Sequence, residues 1–185
     1  LKRPLGAHIE GLKGVVFQKR LGSLFEKSQR VAQLAREIAP ELELDPLLAG
    51  RAAELCKCDL LTLMVGEFPS LQGTMGRHYA RAGNEDAQVA AAMEEHYLPR
   101  HAGDRLPETA CGRALAIADR LDTLVGIFAI GQKPSGVKDP FGLRRAALGV
   151  LRILIETPLE LDLEQLLQSA ARSLRGQVEA EAAVP

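Results

Sequence analysis

Residues 113–156, RALAIADRLDTLVGIFAIGQKPSGVKDPFGLRRAALGVLRILIE, contain the pattern that decides the fold. Apolar residues recur there at steps of three and four, which places them on one face of a helix, and the same spacing returns after an interruption. The interruption, GQKPSGVK, holds two glycines and a proline and therefore cannot continue a helix. The stretch predicts two helices joined by a loop.

The second of these helices is expected to start at Asp139 and Pro140. An Asp side chain accepts hydrogen bonds from the free N–H groups of a first turn, and a proline at the first helical position loses no hydrogen bond. Arg144 and Arg145 follow directly. Because positive charge is disfavoured at the N-terminus of a helix, this pair predicts either an external anion or a carboxylate partner such as Asp139 or Asp122.

The rest of the chain repeats the helical spacing, and it shows no alternation of apolar and polar residues long enough for a β-strand. Helices are expected over residues 15–39, from Asp45-Pro46, from Asn84 to Tyr97, from Pro107 and after Leu159. The sequence therefore predicts an all-α fold with long irregular loops. We expect one domain over residues 1–157, entered by an irregular arm at 1–14, and a C-terminal helix or linker over 158–185.

The composition is typical of one globular domain, with 185 residues of which 46% are apolar and 25% charged. A net charge of −1 gives no general attraction to nucleic acid, so such binding would depend on a local basic patch. No apolar run approaches the ~20 residues that span a bilayer, and no signal peptide is recognisable, so we expect a cytoplasmic location without a membrane partner. The three cysteines, with a lone Cys-Lys-Cys, are a weak signal for zinc and favour buried free thiols.

Three polar side chains share a predicted helix face with apolar residues: Lys27, Asp59 and Asp119. The stretches around them and one polar loop are KSQRVAQLA (27–35), AAELCKCDLL (52–61), AIADRLDTL (116–124) and EEHYLPRHAGDRLP (94–107). These stretches resemble the HD domain, a helical metal-dependent phosphohydrolase family, and the resemblance implies an HD-domain-like helical bundle. In it, Lys27 stands at the position of the family's first histidine. Cys58 and Asp59 stand at the His-Asp pair, and Asp119 stands at the last aspartate.

These replacements predict a degenerate site without a catalytic metal. A charged ammonium group has no lone pair to offer a metal ion, and two carboxylates alone hold a hard cation loosely. We therefore expect no metal ligand set and no catalytic residue in this chain. Our hypothesis is that Lys27 lies between Asp59 and Asp119 as a counter-charge. The alternative is that Lys27 extends to solvent and meets neither acid.

Longer motifs carry a second resemblance, which covers nearly the whole chain. VVFQKRLGSLFEKSQRVAQLA (15–35), EFPSLQGTMGRHYA (67–80) and GQKPSGVKDPFGLRRAA (131–147) are similar to the β subunit of bacterial α2β2 glycyl-tRNA synthetase. The resemblance implies the degenerate HD-like segment of that subunit, ahead of its anticodon-binding domain. It implies a part in the ATP-dependent attachment of glycine to tRNA, with ATP and Mg used at the α-subunit active site and no cofactor in this fragment. The implied partners are glycine tRNA, the α subunit and the rest of the β subunit, and not DNA.

A tRNA partner needs side chains that hold phosphates and unpaired bases. Arg and Lys bind phosphates, and aromatic rings or Arg planes stack on bases. Three polar segments supply the candidate tRNA-binding residues: Arg77, His78, Tyr79, Arg81, Arg100, His101, Arg105, Lys133, Lys138, Arg144 and Arg145. For His78, and for His96 in EEHYLP, a structural hydrogen-bonding role is the alternative.

Three functions are compatible with these features. The leading hypothesis is a tRNA-binding and architectural domain of a glycine–tRNA ligase without chemistry of its own. The first alternative is an active metal-dependent HD phosphohydrolase acting on nucleotides or phosphoesters, which the missing histidines disfavour. The second is a protein-facing scaffold inside the synthetase, which the fold by itself does not distinguish from the leading hypothesis.

Overall fold

The computed structural model describes residues 3–175 and 177–178, and helices dominate these residues. The α-helices are α1 (Leu24–Ile38), α2 (Pro46–Leu55), α3 (Leu63–Glu67), α4 (Thr74–Ala82), α5 (Ala87–Glu95), α6 (Ala110–Ala129), α7 (Leu143–Glu156) and α8 (Leu163–Ser173). Short 3-10 helices span Leu5–His8, Glu10–Gly14, Ala39–Leu42, Cys58–Leu61 and Pro69–Leu71. The predicted all-α class is confirmed, and the HD-like arrangement of these helices stays a prediction.

The prediction that one helix covers residues 15–39 is wrong at its N-terminal end, because the chain forms a small hairpin there before α1. Strand β1 (Val16–Gln18) pairs antiparallel with β2 (Gly22–Ser23), so the expectation of no β-structure was also wrong at this point. Gly22 has a φ of +82°, a conformation that glycine adopts without strain. The turn therefore ends the preceding segment before a helix can run through it.

A capping box fixes the start of α1 immediately after this hairpin. The backbone N–H of Glu26 donates to the hydroxyl oxygen of Ser23 (3.4 Å), and the Glu26 carboxylate accepts from the backbone N–H of Ser23 (2.7 Å). Two N–H groups near the helix start are thereby satisfied within the chain's own sequence. Local capping chemistry, which periodicity does not report, sets this boundary.

Other predicted starts are right in kind and shifted in position. Asp45 caps α2 as expected, since its carboxylate accepts from the N–H of Leu47 (2.8 Å). Helix α5 is capped by Asp86 and not by Asn84, and α6 is capped by Thr109 and does not start at Pro107. In both places a side chain two residues further along reaches the free N–H groups of the first turn.

The start of α7 combines a confirmed and a wrong prediction. The Asp139 carboxylate accepts from the backbone N–H groups of Leu143 (2.8 Å) and Arg144 (3.0 Å), as its expected capping role requires. Pro140 is not the first helical residue. The helix begins after Gly142, whose φ of +65° turns the chain just before Leu143.

Helix α6 is the centre of the core. It packs against α1, α2, α5, α7 and α8. Its residues Leu115, Ile117 and Leu121 are almost completely buried. Helix α8 packs on the same core through Leu166 and Ala170, while the predicted domain boundary between residues 157 and 158 stays a prediction.

The close approach of α5 and α6 gives a testable prediction for Gly112. A Cβ atom at this position would clash with the carboxylate of Glu95 and lie 2.8 Å from its Cβ. Gly112→Ala should therefore lower the free energy of unfolding by about 1–3 kcal/mol in urea denaturation, because the packed helices must move apart. Gly66→Ala is the matched control, since no atom lies within 4 Å of its added Cβ. It should leave stability unchanged or raise it by up to about 1 kcal/mol.

Candidate functional site

A buried network of charged side chains lies between α1 and α6. The Lys27 ammonium lies 3.0 Å from Oδ1 of Asp119 and 2.9 Å from Oδ2 of Asp122. It also donates to the hydroxyl of Thr123 (2.8 Å). Lys27 is buried, so the alternative that it extends to solvent is wrong. The hypothesis that it lies between Asp59 and Asp119 is also wrong in part, because the second carboxylate it contacts is Asp122.

A second ammonium group, which sequence reasoning missed, belongs to Lys57. Its Nζ lies 3.1 Å from Oδ2 of Asp119, so each oxygen of this carboxylate faces one ammonium group. Lys57 also contacts Nε2 of His96 (2.9 Å) and lies 4.6 Å from the centroid of the Tyr97 ring. The available signal was its place directly before the Cys58-Asp59 pair.

The ion pairs control the charge of Asp119. Burial raises the pKa of this carboxyl, but Lys27 and Lys57 together hold it well below its ordinary value. Burial likewise opposes the charge of Lys57, while the Asp119 carboxylate raises the Lys57 pKa above its ordinary value. Asp122 completes the network with Arg30, whose Nε lies 2.6 Å from its Oδ1. The network thus contains three cations and two carboxylates.

His96 is a buried structural member of this network. Its Nδ1 donates to the carbonyl oxygen of Ala92 (3.0 Å), which leaves the Nε2 lone pair to accept from the Lys57 ammonium. Burial and the neighbouring Lys57 charge lower the His96 pKa well below its usual range, so the ring stays neutral. For His96, the structural alternative agrees with these contacts.

Asp59 has a different partner from the one expected. Its Oδ2 accepts from the backbone N–H groups of Gly73 (2.7 Å) and Gly76 (3.2 Å), at the start of α4. Burial raises the pKa of Asp59. Asp59 therefore caps α4 from a distant part of the chain, which spacing along the sequence does not reveal. Cys58 points to the carbonyl of Glu54 (3.5 Å), and burial raises its thiol pKa to about 12.

The arrangement around Asp119 is unsuited to holding a metal ion. A cation entering there would have to displace two ammonium groups from the carboxylate oxygens. Within residues 3–175 and 177–178, no cluster of three or more His, Cys, Asp or Glu side chains has the placement of a metal site. The absence of a metal requirement stays a prediction, supported by the charge of Lys27 and Lys57.

The candidate tRNA-binding residues fall into two groups in the structure. Arg77 and Arg105 form ion pairs with Glu94, at 2.9 Å and 3.4 Å. In the part of the chain that the structure describes, the other six cations have no carboxylate oxygen within 4 Å; these are Arg81, Arg100, Lys133, Lys138, Arg144 and Arg145. Tyr79 packs partly against the core, whereas His78 and His101 are exposed.

Arg100 and Arg145 are distant in the sequence, but both line a cleft between the start of α7 and the loop that follows α5. Arg144, one residue before Arg145, does not line it. Neither arginine of this pair has Asp122 as its partner, because Asp122 is buried against Lys27 and Arg30. The carboxylate alternative for the arginine pair is therefore wrong for Asp122. For Asp139, no guanidinium nitrogen of the pair lies within 4 Å of a carboxylate oxygen in the described part of the chain, but the hydrogen bond from the backbone N–H of Arg144 and, to a smaller degree, the charges of Arg144 and Arg145 lower the Asp139 pKa.

The fold and the network together define an all-α domain whose central carboxylate is neutralised by lysines. The model of the family described as "Glycyl-tRNA synthetase beta subunit" matches residues 1–184. The chain belongs to this family. Over the described residues, none of the helices has the length and apolar character needed to cross a membrane.

Individual relatives agree with the family match. The chain is 56% identical over 180 residues to the glycine–tRNA ligase beta subunit of Hahella chejuensis, covering 97% of this chain and 26% of that protein. It is 54% identical over 179 residues to the corresponding subunit of Pseudomonas putida strain W619, with the same coverage. A third relative, from Chromohalobacter salexigens, is 55% identical over 170 residues. The chain spans about a quarter of the length of these relatives.

Asp119→Asn should be strongly destabilising, because it leaves the buried Lys57 ammonium without a carboxylate. We expect a loss of about 3–5 kcal/mol in the free energy of unfolding, measured in urea. Adding Lys57→Met should recover part of this loss by removing the stranded charge. Glu156→Gln breaks the Arg152–Glu156 ion pair, in which the Glu156 side chain is exposed, and serves as the control, with little or no change in the free energy of unfolding. Equal losses in the two single variants would contradict the importance of the network.

The neutral state of His96 predicts a pH dependence of stability. As the pH falls below about 6.5, the unfolded chain binds a proton on this ring that the folded chain does not bind. The free energy of unfolding should therefore fall between about pH 7 and about pH 5, by up to about 1.4 kcal/mol per pH unit. Asp119 adds a loss in the same direction only below about pH 4.

Urea denaturation of His96→Gln at several pH values checks this expectation. The variant should lack the slope between about pH 7 and about pH 5, whatever its overall stability. His78→Gln changes an exposed histidine and should keep the slope. A slope that persists in His96→Gln would show that another group is responsible.

Proposed function

We propose that this chain is a tRNA-binding and architectural domain of the beta subunit of a glycine–tRNA ligase, with no chemistry of its own. The parent enzyme would attach glycine to its tRNA with ATP, at an active site on the α subunit, in the cytoplasm. The partners of this chain would be glycine tRNA, the α subunit and the rest of the beta subunit. Membership of the family supports this assignment.

The observation that carries the tRNA-binding part is the set of basic side chains without carboxylate partners. Six of the eight candidate cations have no ion pair among the described residues. Four of the six, Lys133, Lys138, Arg144 and Arg145, belong to the α6–α7 loop and the first turn of α7. Unpaired Lys and Arg on one segment can bind phosphates of folded RNA independently of base sequence.

The buried network supports the absence of hydrolytic chemistry. An HD-type hydrolase would use the carboxylate at position 119 to hold a metal that activates water. Here the ammonium groups of Lys27 and Lys57 lie 3.0 Å and 3.1 Å from the two oxygens of that carboxylate and neutralise it. The phosphohydrolase alternative has no supporting contact in this network.

A protein-facing role is the second candidate, and an exposed stripe on α7 favours it. Leu148, Leu151 and Ile155 recur at steps of three and four and are all exposed. Such a stripe fits the packing of another protein surface. It lies on the same helix as Arg144 and Arg145, so the two roles are compatible.

A salt series of tRNA binding tests the proposal. The wild-type chain should bind a glycine tRNA transcript with an affinity that falls as the salt concentration rises, because bound cations are released from the phosphates. A variant with Gln at Lys133, Lys138, Arg144 and Arg145 should bind more weakly. Its slope of log affinity against log salt should be flatter by about 0.7–0.9 for each phosphate that the variant no longer neutralises.

The matched control replaces cations that are already paired. Arg77→Gln with Arg105→Gln removes two cations that share Glu94 as an ion-pair partner, Arg105 lying also 3.9 Å from Glu108, and it should flatten the slope less for each charge removed. Circular dichroism should show that all variants are folded. Absence of tRNA binding by the folded wild-type chain would contradict the tRNA-binding role and leave the protein-facing candidate.

A further inference from the structure

A cleft of about 470 Å³ lies between the first turn of α7, the middle of α6 and two loops. Its lining includes Ser70, Gln72, Tyr97, Arg100, Arg120 and Arg145. Three of the lining residues are arginines, and none is an acid. Like charges collected in one concave surface repel one another, and a bound anion relieves that repulsion.

Arg120 is the most enclosed of these arginines and holds one wall of the cleft in place. Its Nη1 donates to the carbonyl oxygen of His96 (2.9 Å), and its Nη2 donates to those of Tyr97 and Pro99 (3.1 Å each). Carbonyl oxygens accept these hydrogen bonds but do not neutralise the charge of the guanidinium group. No carboxylate oxygen of the described residues lies within 4 Å of Arg120. Arg120 thus adds positive charge and fixes the segment that leads to Arg100.

Arg100 and Arg145 are the side chains available to bind a ligand directly. Both are exposed, and neither has an ion pair among the described residues. Arg145 lies beside Gly142, where a Cβ atom would be 3.3 Å from its Nη2. The nearby Asp139 already accepts from the N–H groups at the start of α7. The ligand would therefore be held by side chains and not by the helix N-terminus.

The chemistry of the lining favours an oxyanion, and phosphate is the oxyanion that RNA supplies. Guanidinium groups present parallel N–H donors that match two oxygens of one phosphate, and they keep their charge at every physiological pH. Ser70 and Gln72 add neutral hydrogen-bond donors to the lining. No carboxylate lines the cleft; the Asp139 carboxylate lies outside the lining, where the hydrogen bond from the backbone N–H of Arg144 and, to a smaller degree, the nearby charge of Arg145 lower the Asp139 pKa.

We propose that this cleft binds a backbone phosphate of RNA through Arg100 and Arg145, with Arg120 as the positioning residue. The choice of RNA as the source of the phosphate rests on the proposed function. The inference also divides the arginine pair at the start of α7. Arg145 contacts the phosphate, and Arg144 contributes only general attraction.

The experiment compares Arg145→Gln and Arg100→Gln with Arg144→Gln, which removes the same charge one residue away from the cleft. The probes are a glycine tRNA transcript, titrated by fluorescence anisotropy, and inorganic phosphate, tested by its effect on the unfolding temperature. Arg145→Gln and Arg100→Gln should each weaken tRNA binding about tenfold, the loss expected for one charge-assisted hydrogen-bonded contact. Arg144→Gln should weaken it less than about threefold. All three positions are exposed, so each variant should unfold at the wild-type temperature without phosphate.

The outcomes separate this inference from the proposed function. Equal losses in Arg144→Gln and Arg145→Gln would overturn the cleft and leave general tRNA binding in place. If the wild-type chain binds no tRNA, but phosphate raises its unfolding temperature and Arg145→Gln abolishes the rise, the RNA source is overturned and the cleft takes a small phosphate compound. If neither probe binds, both the cleft and the tRNA-binding role are overturned.

Discussion

The carboxylate of Asp119 faces an ammonium group on each oxygen, Lys27 at 3.0 Å and Lys57 at 3.1 Å, and several elements of the fold meet at this point. Lys27 comes from α1, Lys57 from the turn after α2, and Asp119 from α6. Buried ion pairs add little net stability, because removing the charges from water costs about as much as their attraction returns. They are nevertheless expensive to break. The network therefore acts as a constraint on which segments must lie together.

The same constraint reaches the surface through neighbouring residues of α6. Asp119 faces the buried network, and the next residue, Arg120, lines the basic cleft. His96, in the segment that leads to Arg100, contacts both the network and Arg120. The His96 ring contacts Lys57, and its carbonyl oxygen accepts from Arg120. Lys57 of the network also lies 4.6 Å from the ring of Tyr97, which lines the cleft, so the network and the cleft share a wall.

Family membership and the structure contribute different parts of the functional argument. The family match covers residues 1–184 and connects the chain to a subunit of an aminoacyl-tRNA synthetase, of which it spans about a quarter. It assigns no role to an individual residue. The ion pairs of Lys27 and Lys57 support a domain without hydrolytic chemistry, and the unpaired arginines support a contact with phosphate. Both statements depend on which charges have partners in three dimensions.

The sequence by itself determined the helical class, the loop between α6 and α7, and the capping role of Asp139, because periodicity and capping act within a few residues. It also indicated that Lys27 and Asp119 face inward. Only the tertiary structure decided that Asp122 and not Asp59 is the second partner of Lys27, and that Asp59 caps α4. It also brought Arg100, Arg120 and Arg145 to one cleft. These contacts join residues far apart in the chain, so their geometry depends on how the helices pack and not on local spacing.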